Sequence, residues 1–468
     1  MSFIKKYIYH LLLLLILIFV TIKLFSNIST LPLDIDELFT LNILYMDNLR
    51  EIILLGNIFD THPPLYHLIM YFFTQIFGLS EYVIRIPSVI FTVISFYLVF
   101  VLAKKLFSPI HGLTASIVTI ILIPNPWITY FARGYSLLLL FSILTMISLV
   151  NIINYKINYK EKDVTFTLLF YFIISSLLCM YTHYFGCILV LSELLFLFFF
   201  FHKIVIKELI AIVLFLIILY GPWLQISVPK KATLTDPNFV NWINWNVFGN
   251  YNPYILISLV VIAIIYHLYI LIKQKHDKQK SNYPFFLILY LFLFPFLLTF
   301  FIDKFIIRCY QHKYLIISLI PFYILVADTF VIFLKNKINI FLTLIIFCLL
   351  SKQTAVPPDV LPQYYLDFVI NNHNKTGKPI VIIIDKHNKF IEYYKYHFDK
   401  YAIFENMSFV YDFNEKEIIK ETDKLINKNN GQYIWLFDST SIYDIKPISD
   451  NKQVIVFNKE SPSVYLVK

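Results

Sequence analysis

The 468-residue sequence has few charged residues and a large apolar excess. Charged residues make up 15% of the chain and hydrophobic residues 59%, whereas a soluble domain is about a quarter charged and near half apolar. The mean hydropathy is +0.70. A fold in water cannot cover so much apolar surface, so the composition excludes a soluble protein and predicts a chain embedded in a bilayer.

Glycine and cysteine are too scarce for two common kinds of site. The chain has only nine glycines and no Gly-rich phosphate loop, which excludes a nucleotide-binding fingerprint. Its four cysteines form no CxxC pair, so neither a zinc site of that type nor a disulfide framework is expected. The net charge is +9, but no recognisable basic module accompanies it, and we expect no nucleic-acid partner.

About eleven apolar windows predict a polytopic helical membrane protein. Lys5 and Lys6 precede the first window, which favours an uncleaved first helix and a cytoplasmic N-terminus. A further apolar stretch, 63–79, is predicted to lie at the outer interface or to dip in and return, because counting it as a span would move the later Lys clusters outside. The predicted spans are 8–26, 87–106, 112–130, 136–154, 165–182, 186–202, 208–226, 253–272, 284–302, 314–334 and 338–350.

The chain changes composition at Ser351. Residues 1–350 are predicted to form the transmembrane domain, and residues 351–468 a small extracytoplasmic α/β domain, so that the whole fold is mainly α. Helical patterns are found near 388–397 and 414–428. The predicted strands are Ile380–Ile384, Tyr433–Phe437, Val454–Phe457 and Val464–Val467.

Three carboxylates, Asp34, Asp36 and Glu37, lie within four residues in the first loop that this topology places outside. A solvated loop or the first turn of a helix would explain them equally well, because acids favour helix N-termini. A carboxylate in this place could also serve as a general base at the membrane face.

Three further motifs follow. The first is Asp60-Thr-His62-Pro-Pro-Leu-Tyr66, where two prolines prevent regular helix and hold the backbone in a turn. The second is Ile-Arg85-Ile-Pro at the start of the second span. The third is Ala-Arg133-Gly-Tyr135-Ser-Leu at a predicted external helix end.

Together these motifs resemble the multi-spanning lipid-linked glycosyltransferases of the GT-C fold class. They are similar to the family-39-like enzymes, kin to protein O-mannosyltransferases and the lipid A aminoarabinose transferase. The family pattern is an Asp-Glu pair, then His-Pro-Pro-Leu-Tyr, then Leu-Arg-x-Pro, then Ala-Arg-x-Tyr-Ser-Leu. The matching residues here cover about the first 140 positions, beginning with Asp36-Glu37.

The resemblance implies transfer of a sugar from a polyprenyl phosphate or diphosphate to an acceptor. Asp36, assisted by Glu37, takes the place of the family's general base, and the absence of an obvious second carboxylate nucleophile favours inversion. The leaving phosphate needs cations or hydrogen-bond donors in a water-poor site, although interfacial anchoring is an alternative for each of them. The candidate substrate-binding residues are Asp60, His62, Tyr66, Arg85, Arg133, Tyr135, His183, Arg308, Lys313 and Tyr314.

No cofactor is required by these motifs. A divalent metal held by Asp60, His62 and His183 is a possible addition, since two imidazoles and a carboxylate are suitable ligands. Aromatic and amide side chains in 227–252 could bind sugar, but an interfacial Trp belt is the preferred interpretation.

The composition indicates a bacterial chain, and the topology predicts a multi-pass protein of the cytoplasmic (inner) membrane. Its expected partners are a polyprenyl-phosphate-linked sugar, a glycan, lipid or protein acceptor, and the bilayer. The alternatives are a transporter or flippase of lipid-linked glycan, and a noncatalytic relative that binds glycolipid. The spans look nearly free of charge, which favours chemistry at the interface over transport.

Overall fold

A computed structural model of the chain divides into two compact units, Met1–Leu31 with Phe39–Val356 and Pro32–Leu38 with Pro357–Lys468. The first unit contains nearly all of the helices and the second contains the strands. The structure describes residues 2–28, 33, 35–44, 48–53, 62–123, 126–159, 162–226, 253–273, 283–306, 312–334, 380–385, 407–413, 433–438, 454–458 and 463–467.

The described helices run in chain order with short connections. A 3-10 turn, His312–Leu315, directly precedes the last of them. They are α1 (Ser2–Asn27), α2 (Ile35–Leu44), α3 (Leu65–Phe77), α4 (Glu81–Leu106), α5 (Pro109–Leu122), α6 (Pro126–Thr129), α7 (Tyr135–Asn158), α8 (Phe166–Thr182), α9 (Tyr184–Ile226), α10 (Pro253–Lys273), α11 (Tyr283–Phe305) and α12 (Ile316–Leu334).

Six helical segments are long and apolar enough to cross a membrane by length and composition, which confirms a multi-pass helical protein. Others are apolar but shorter, including α3, α5 and α8. The predicted span 112–130 is not one helix, because α5 ends at Leu122 and α6 begins at Pro126. The window 338–350 lies outside the described residues. The six segments are Tyr7–Asn27, Glu81–Leu106, Tyr135–Asn158, Tyr184–His202, Val205–Ile226 and Tyr283–Phe305.

Helix α3 covers most of the stretch that was predicted not to span. It has 13 residues, which at 1.5 Å per residue is about 20 Å, short of the roughly 30 Å hydrocarbon layer. Gly78 ends it with a φ of 82°, a conformation that glycine adopts without strain. Ser80 then caps α4 by accepting a hydrogen bond from the Val83 amide at 3.2 Å.

Helix α9 is assigned as one uninterrupted helix, but its two halves run in opposite directions. The thiol of Cys187 lies 3.5 Å from the hydroxyl of Tyr220, 33 residues later. A straight helix would hold these residues about 50 Å apart. Tyr181, on α8, likewise donates to the Leu219 carbonyl at 2.8 Å. The two predicted spans 186–202 and 208–226 are therefore present as antiparallel halves.

The centre of the helical unit is formed by α7 and α12. From Ile316 to Val331 every residue of α12 is buried, and the residues Tyr135–Leu140 that open α7 are buried in the same way. A helix that is hydrophobic on all sides belongs inside a bundle. Close approach helps this packing: a Cβ on Gly112 of α5 would stand 2.7 Å from the Phe100 carbonyl oxygen of α4.

Ionisable side chains are buried within this unit, more than the nearly charge-free windows suggested. Lys156 and Glu208 form an ion pair of 2.8 Å with both side chains less than a tenth exposed. Asp328 on α12 accepts from His111 of α5 at 3.2 Å and from His267 of α10 at 2.8 Å. These three residues are the ionic cluster, which joins three helices.

The second unit contains a five-stranded mixed sheet in the order β2-β1-β3-β5-β4. Strand β1 pairs in parallel with β2 and β3, whereas β5 pairs antiparallel with β3 and β4. The four predicted strands are present, each within a residue or so of its predicted bounds; β2 was not predicted, and the two predicted helices fall outside the described residues. The strands are β1 (Ile380–Asp385), β2 (Met407–Phe413), β3 (Tyr433–Asp438), β4 (Val454–Asn458) and β5 (Ser463–Val467).

Candidate active site

Asp36 and Glu37 occupy the first turn of α2. They belong to the segment Pro32–Leu38, which groups with the second unit. Asp36 is half-buried and Glu37 is fully buried. The interpretation that these acids lie in the first turn of a helix therefore describes the backbone correctly. Carboxylates in this position stabilise a helix N-terminus. Asp34 lies outside the described residues.

Within the helical unit, four predicted site residues form one packed group, the ring cluster: His62, Tyr135, His183 and Tyr314. All six pairs of their ring centroids lie between 4.4 and 6.1 Å. His62, Tyr135 and His183 are buried, and Tyr314 is partly buried. Residues separated by 252 positions in the sequence thus meet in one place.

Each ring enters the cluster from a helix end or a turn. His62 stands directly before Pro63 and Pro64, which precede α3, and a following proline disfavours helical backbone at His62 itself. Tyr135 is the first residue of α7, and Tyr314 lies in the 3-10 turn before α12. The helix ends therefore aim the rings, while the helices behind them are held by the apolar core.

His183 is the single residue between α8 and α9, and its tautomer is set by the backbone. The Phe185 amide donates a hydrogen bond to Nδ1 of His183 at 3.1 Å. Because Nδ1 accepts, it carries no hydrogen, and the neutral ring bears its hydrogen on Nε2. His183 thus presents an N–H donor at Nε2.

Gly186 makes this junction possible. A Cβ at residue 186 would stand 2.4 Å from the carbonyl oxygen of Cys179 on α8, a distance that real Cβ atoms do not tolerate. The Gly186 amide also donates to the His183 carbonyl at 2.8 Å. Only glycine allows α9 to begin so close to the end of α8.

The ring cluster is too tightly packed to hold a sugar between two rings. Van der Waals contact on both faces of a sugar ring needs about 7–8 Å between the flanking aromatics, and none of the six centroid pairs exceeds 6.1 Å. A ligand would therefore contact the edges of the rings and not their faces. Those edges include the Nε2–H of His183 and the hydroxyls of Tyr135 and Tyr314, which are hydrogen-bonding groups suited to an oxyanion.

Arg133 places a buried positive charge two residues before Tyr135. Its side chain is 4% exposed, and Nη1 donates to the hydroxyl of Thr40 at 3.3 Å. Thr40 lies in the second turn of α2. A guanidinium in a water-poor place is the group best suited to bind phosphate oxygens.

Tyr66 and Arg85 are buried behind these residues. The hydroxyl of Tyr66 lies 3.1 Å from that of Ser88. Arg85 is fully buried, donates to the Ile28 carbonyl at 2.8 Å and stacks over the Phe131 ring at 5.3 Å. The Ile28 carbonyl follows the end of α1, where helix carbonyls lack partners, so Arg85 joins α1 to α4.

The side chains of the other predicted site residues are not described. Asp60, Arg308 and the loop 227–252 lie outside the described residues; Lys313 is described only as part of the 3-10 turn's backbone.

Of the three suggested metal ligands, Asp60 lies outside the described residues, and the hydrogen bond that His183 makes does not favour it as a ligand. With Nδ1 of His183 accepting from an amide, Nε2 bears a hydrogen and could bind a metal only as an imidazolate. No group of three His, Cys, Asp or Glu side chains in the described parts of the chain is arranged to hold an ion.

Sequence reasoning missed several supports of this site. Thr40, Phe185 and Gly186 were not singled out. A glycine three residues after His183, at a predicted helix boundary, is a signal of close packing. The role of the Phe185 amide has no sequence signal, because every residue except proline has such a group.

Residues 61–224 match the family described as dolichyl-phosphate-mannose-protein mannosyltransferase. The matched range includes His62, Arg133, Tyr135 and His183 of the site. No curated protein matches the sequence.

Two solved structures with similar folds come from the archaeal oligosaccharyltransferase of Archaeoglobus fulgidus. The form tethered to an acceptor peptide is 11% identical, with a TM-score of 0.52. AglB in complex with an inhibitory peptide and dolichol-phosphate is 12% identical, with a TM-score of 0.50. In each case 93% of this chain and 70% of the other are covered. These likenesses confirm the GT-C fold.

ArnT from Cupriavidus metallidurans, bound to undecaprenyl phosphate, is 11% identical over 98% of both chains with a TM-score of 0.46.

Proposed function

From the GT-C fold shared with lipid-linked glycosyltransferases, we propose that this chain moves a sugar from a polyprenyl phosphate or diphosphate to an acceptor on the extracytoplasmic face of a bacterial cytoplasmic membrane. The observation that carries the proposal is the ring cluster. Motif residues from four separate segments meet there, and their polar edges and the nearby Arg133 suit an anionic headgroup.

The ring cluster and Arg133 bind the carrier phosphate in this proposal. As the sugar leaves, negative charge grows on the phosphate oxygens. A guanidinium and neutral N–H and O–H donors that are already in place stabilise that charge without reorganisation. Such donors act more strongly where water is excluded, and His62, Arg133 and His183 are all at least nine-tenths buried.

Asp36 acts as general base, with Glu37 beside it. Its carboxylate takes the proton of the acceptor hydroxyl or amine as that atom bonds to the anomeric carbon. The bond from that carbon to the phosphate oxygen breaks, and the phosphate leaves with the electron pair. Attack from the face opposite the leaving group inverts the anomeric configuration.

The test is mass spectrometry of lipid carriers and glycans in a deletion strain complemented with variants. Asp36→Asn is expected to accumulate a polyprenyl-linked sugar and to lose one glycan modification, while the protein stays folded in the membrane. The loss of rate is about 10²–10⁴-fold, as for removal of a general base. Asp163→Asn makes the same change at an exposed carboxylate and restores the modification.

Two outcomes would overturn this function. Unchanged carriers and glycans under expressing conditions would favour a noncatalytic relative. Accumulation of sugar-linked carrier on the cytoplasmic face alone would favour a flippase.

The orientation is part of the proposal. With the N-terminus in the cytoplasm, the unit that contains residues 357–468 lies outside. A reporter fused after Lys468 that is active only in the cytoplasm should stay silent, and its activity would contradict this topology.

A further inference from the structure

Helix α4 presents a buried polar face to the segment before α7. Arg85, Ser88 and Thr92 are spaced by three and four residues and so share one side of the helix. All three are fully buried. Their partners lie in or against the segment 128–134, which carries Arg133 and leads directly into Tyr135.

Thr92 holds the start of this segment. Its hydroxyl donates to the Thr129 carbonyl at 2.9 Å and lies 3.3 Å from the Ile128 carbonyl. Both carbonyls end the four-residue helix α6. A helix leaves its last four carbonyls without an internal partner, so α6 cannot satisfy either of them, and unsatisfied carbonyls are costly away from water.

The other two residues of the face brace the rest of the segment. Arg85 stacks over Phe131. The hydroxyl of Ser88 is hydrogen-bonded to that of Tyr66. Tyr66 in turn packs against Gly134: a Cβ added to Gly134 would lie 3.5 Å from the Cβ of Tyr66. Arg85 also holds α1 through Ile28, so its loss would disturb more than this segment.

Thr92 differs from both, because its two hydrogen bonds through the hydroxyl go to the segment alone. We propose that Thr92 is a positioning residue for carrier binding, which sets Arg133 and Tyr135 by anchoring segment 128–134 to α4. This rests on the proposed function, in which those two residues contact the carrier phosphate.

The experiment measures the affinity of the full-length protein in nanodiscs for undecaprenyl phosphate. Thr92→Val keeps the shape of the side chain and removes the hydroxyl; we expect the Kd to rise about tenfold, the effect of losing one buried hydrogen bond. Thr92→Ser keeps the hydroxyl and should bind within about twofold of the wild type. Ser95→Ala is the matched control, since within the described part of the chain Ser95 donates only to the carbonyl of Phe91 in its own helix, at 2.6 Å.

A purely structural role for Thr92 would lower the thermal stability of Thr92→Val without changing the Kd of the folded fraction, and that result would overturn the proposal. Failure of Thr92→Ser to improve on Thr92→Val would do the same. If Thr92→Val does not fold, Thr92→Cys, with a weak donor of similar size, replaces it.

A second measurement does not depend on the carrier. Hydrogen exchange should increase in segment 128–134 of Thr92→Val and stay unchanged elsewhere in α4 and α7. If the wild type does not bind undecaprenyl phosphate, the proposed function fails. The exchange result then decides by itself whether Thr92 anchors the segment, and unchanged exchange would reject the anchor.

Discussion

The ring cluster and the ionic cluster are two buried polar groups in one helical unit, built in opposite ways. Asp328, His111 and His267 project from within helices, and each carboxylate oxygen of Asp328 already has an imidazole partner. The ring cluster is assembled at helix ends and turns and contains no carboxylate. Tyr314 and Asp328 both belong to the α12 region, 14 residues and about 21 Å apart along the axis.

The difference teaches which buried polar groups to associate with chemistry. A carboxylate that is saturated by partners on two other helices ties helices together and has little left for a ligand. The four rings of the ring cluster are instead aimed by turns and helix ends. Loops and helix ends on a rigid scaffold are also where binding residues concentrate. We therefore expect the ionic cluster to govern stability and the ring cluster to govern activity.

The largest effect is expected from breaking the ionic cluster. Asp328→Ala removes the carboxylate and leaves the two partly buried imidazoles of His111 and His267 without their shared acceptor, which should cost about 3–5 kcal/mol of unfolding free energy. Denaturation in detergent measures the loss, and transfer activity per folded molecule should stay within about threefold of the wild type. Asp163→Ala, at an exposed carboxylate, is the control. If Asp328→Ala lost activity without a change in stability, the ionic cluster would have to be assigned to activity instead of stability.

The next effect tests the tautomer of His183. The side-chain amide of Asn can occupy only the position of Nδ1. The longer side chain of Gln can place its N–H donor at the position of Nε2. His183→Asn should therefore lower kcat by about 10²–10³-fold, as for loss of one oxyanion donor. His183→Gln should retain most of the rate. Equal losses in both variants would show that the Nε2–H does not matter.

A smaller effect is expected from the glycine at the same junction. Gly186→Ala brings a Cβ against the Cys179 carbonyl and must shift His183, so we expect activity to fall about tenfold. Gly221→Ala is the matched control on the other half of α9, where a Cβ meets nothing within 4 Å. That change should be neutral or stabilise by up to about 1 kcal/mol. If Gly186→Ala kept its activity, the close packing between α8 and α9 would not be needed to position His183.

The smallest effect concerns the edge of the ionic cluster. Ser108 lies 2.6 Å from Nδ1 of His111, and Ser108→Ala removes this hydrogen bond. The expected cost is about 0.5–1.5 kcal/mol of stability, with unchanged activity. Ser26→Ala, at an exposed hydroxyl of α1, provides the baseline. A loss as large as that of Asp328→Ala would mean that Ser108 is a full member of the ionic cluster.

Much of the fold could be predicted from the sequence because apolar windows and strand patterns are local. The two spans in α9 and four of the five strands were found in this way. Strand β2 was missed, although Met407, Phe409, Tyr411 and Phe413 alternate along it with Ser408, Val410 and Asp412. It lies at the edge of the described sheet, where polar residues are tolerated.

The site residues were predicted as separate motifs, and their meeting was not. His62, Tyr135, His183 and Tyr314 were each named, but no local pattern indicates that rings so distant in sequence pack together. The ionic cluster was missed because His111, His267 and Asp328 are single polar residues in apolar windows with no spacing in common. Arg85 was named as a candidate substrate-binding residue. The structure shows that it donates to the backbone carbonyl of Ile28, a contact that residue types cannot reveal.

The amino-acid sequence by itself determined that this chain crosses a membrane many times, carries a small domain with strands at its end, and has an acid pair and a set of His, Arg and Tyr motifs in the order of a GT-C enzyme. Hydropathy and motif order are properties of neighbouring residues, so they can be read along the chain. Only the tertiary structure decided that four rings close into one cluster, that a backbone amide sets the hydrogen of His183, and that imidazoles from two other helices contact the carboxylate of Asp328. Those outcomes depend on how helices pack side by side, and packing joins residues that are far apart in the sequence.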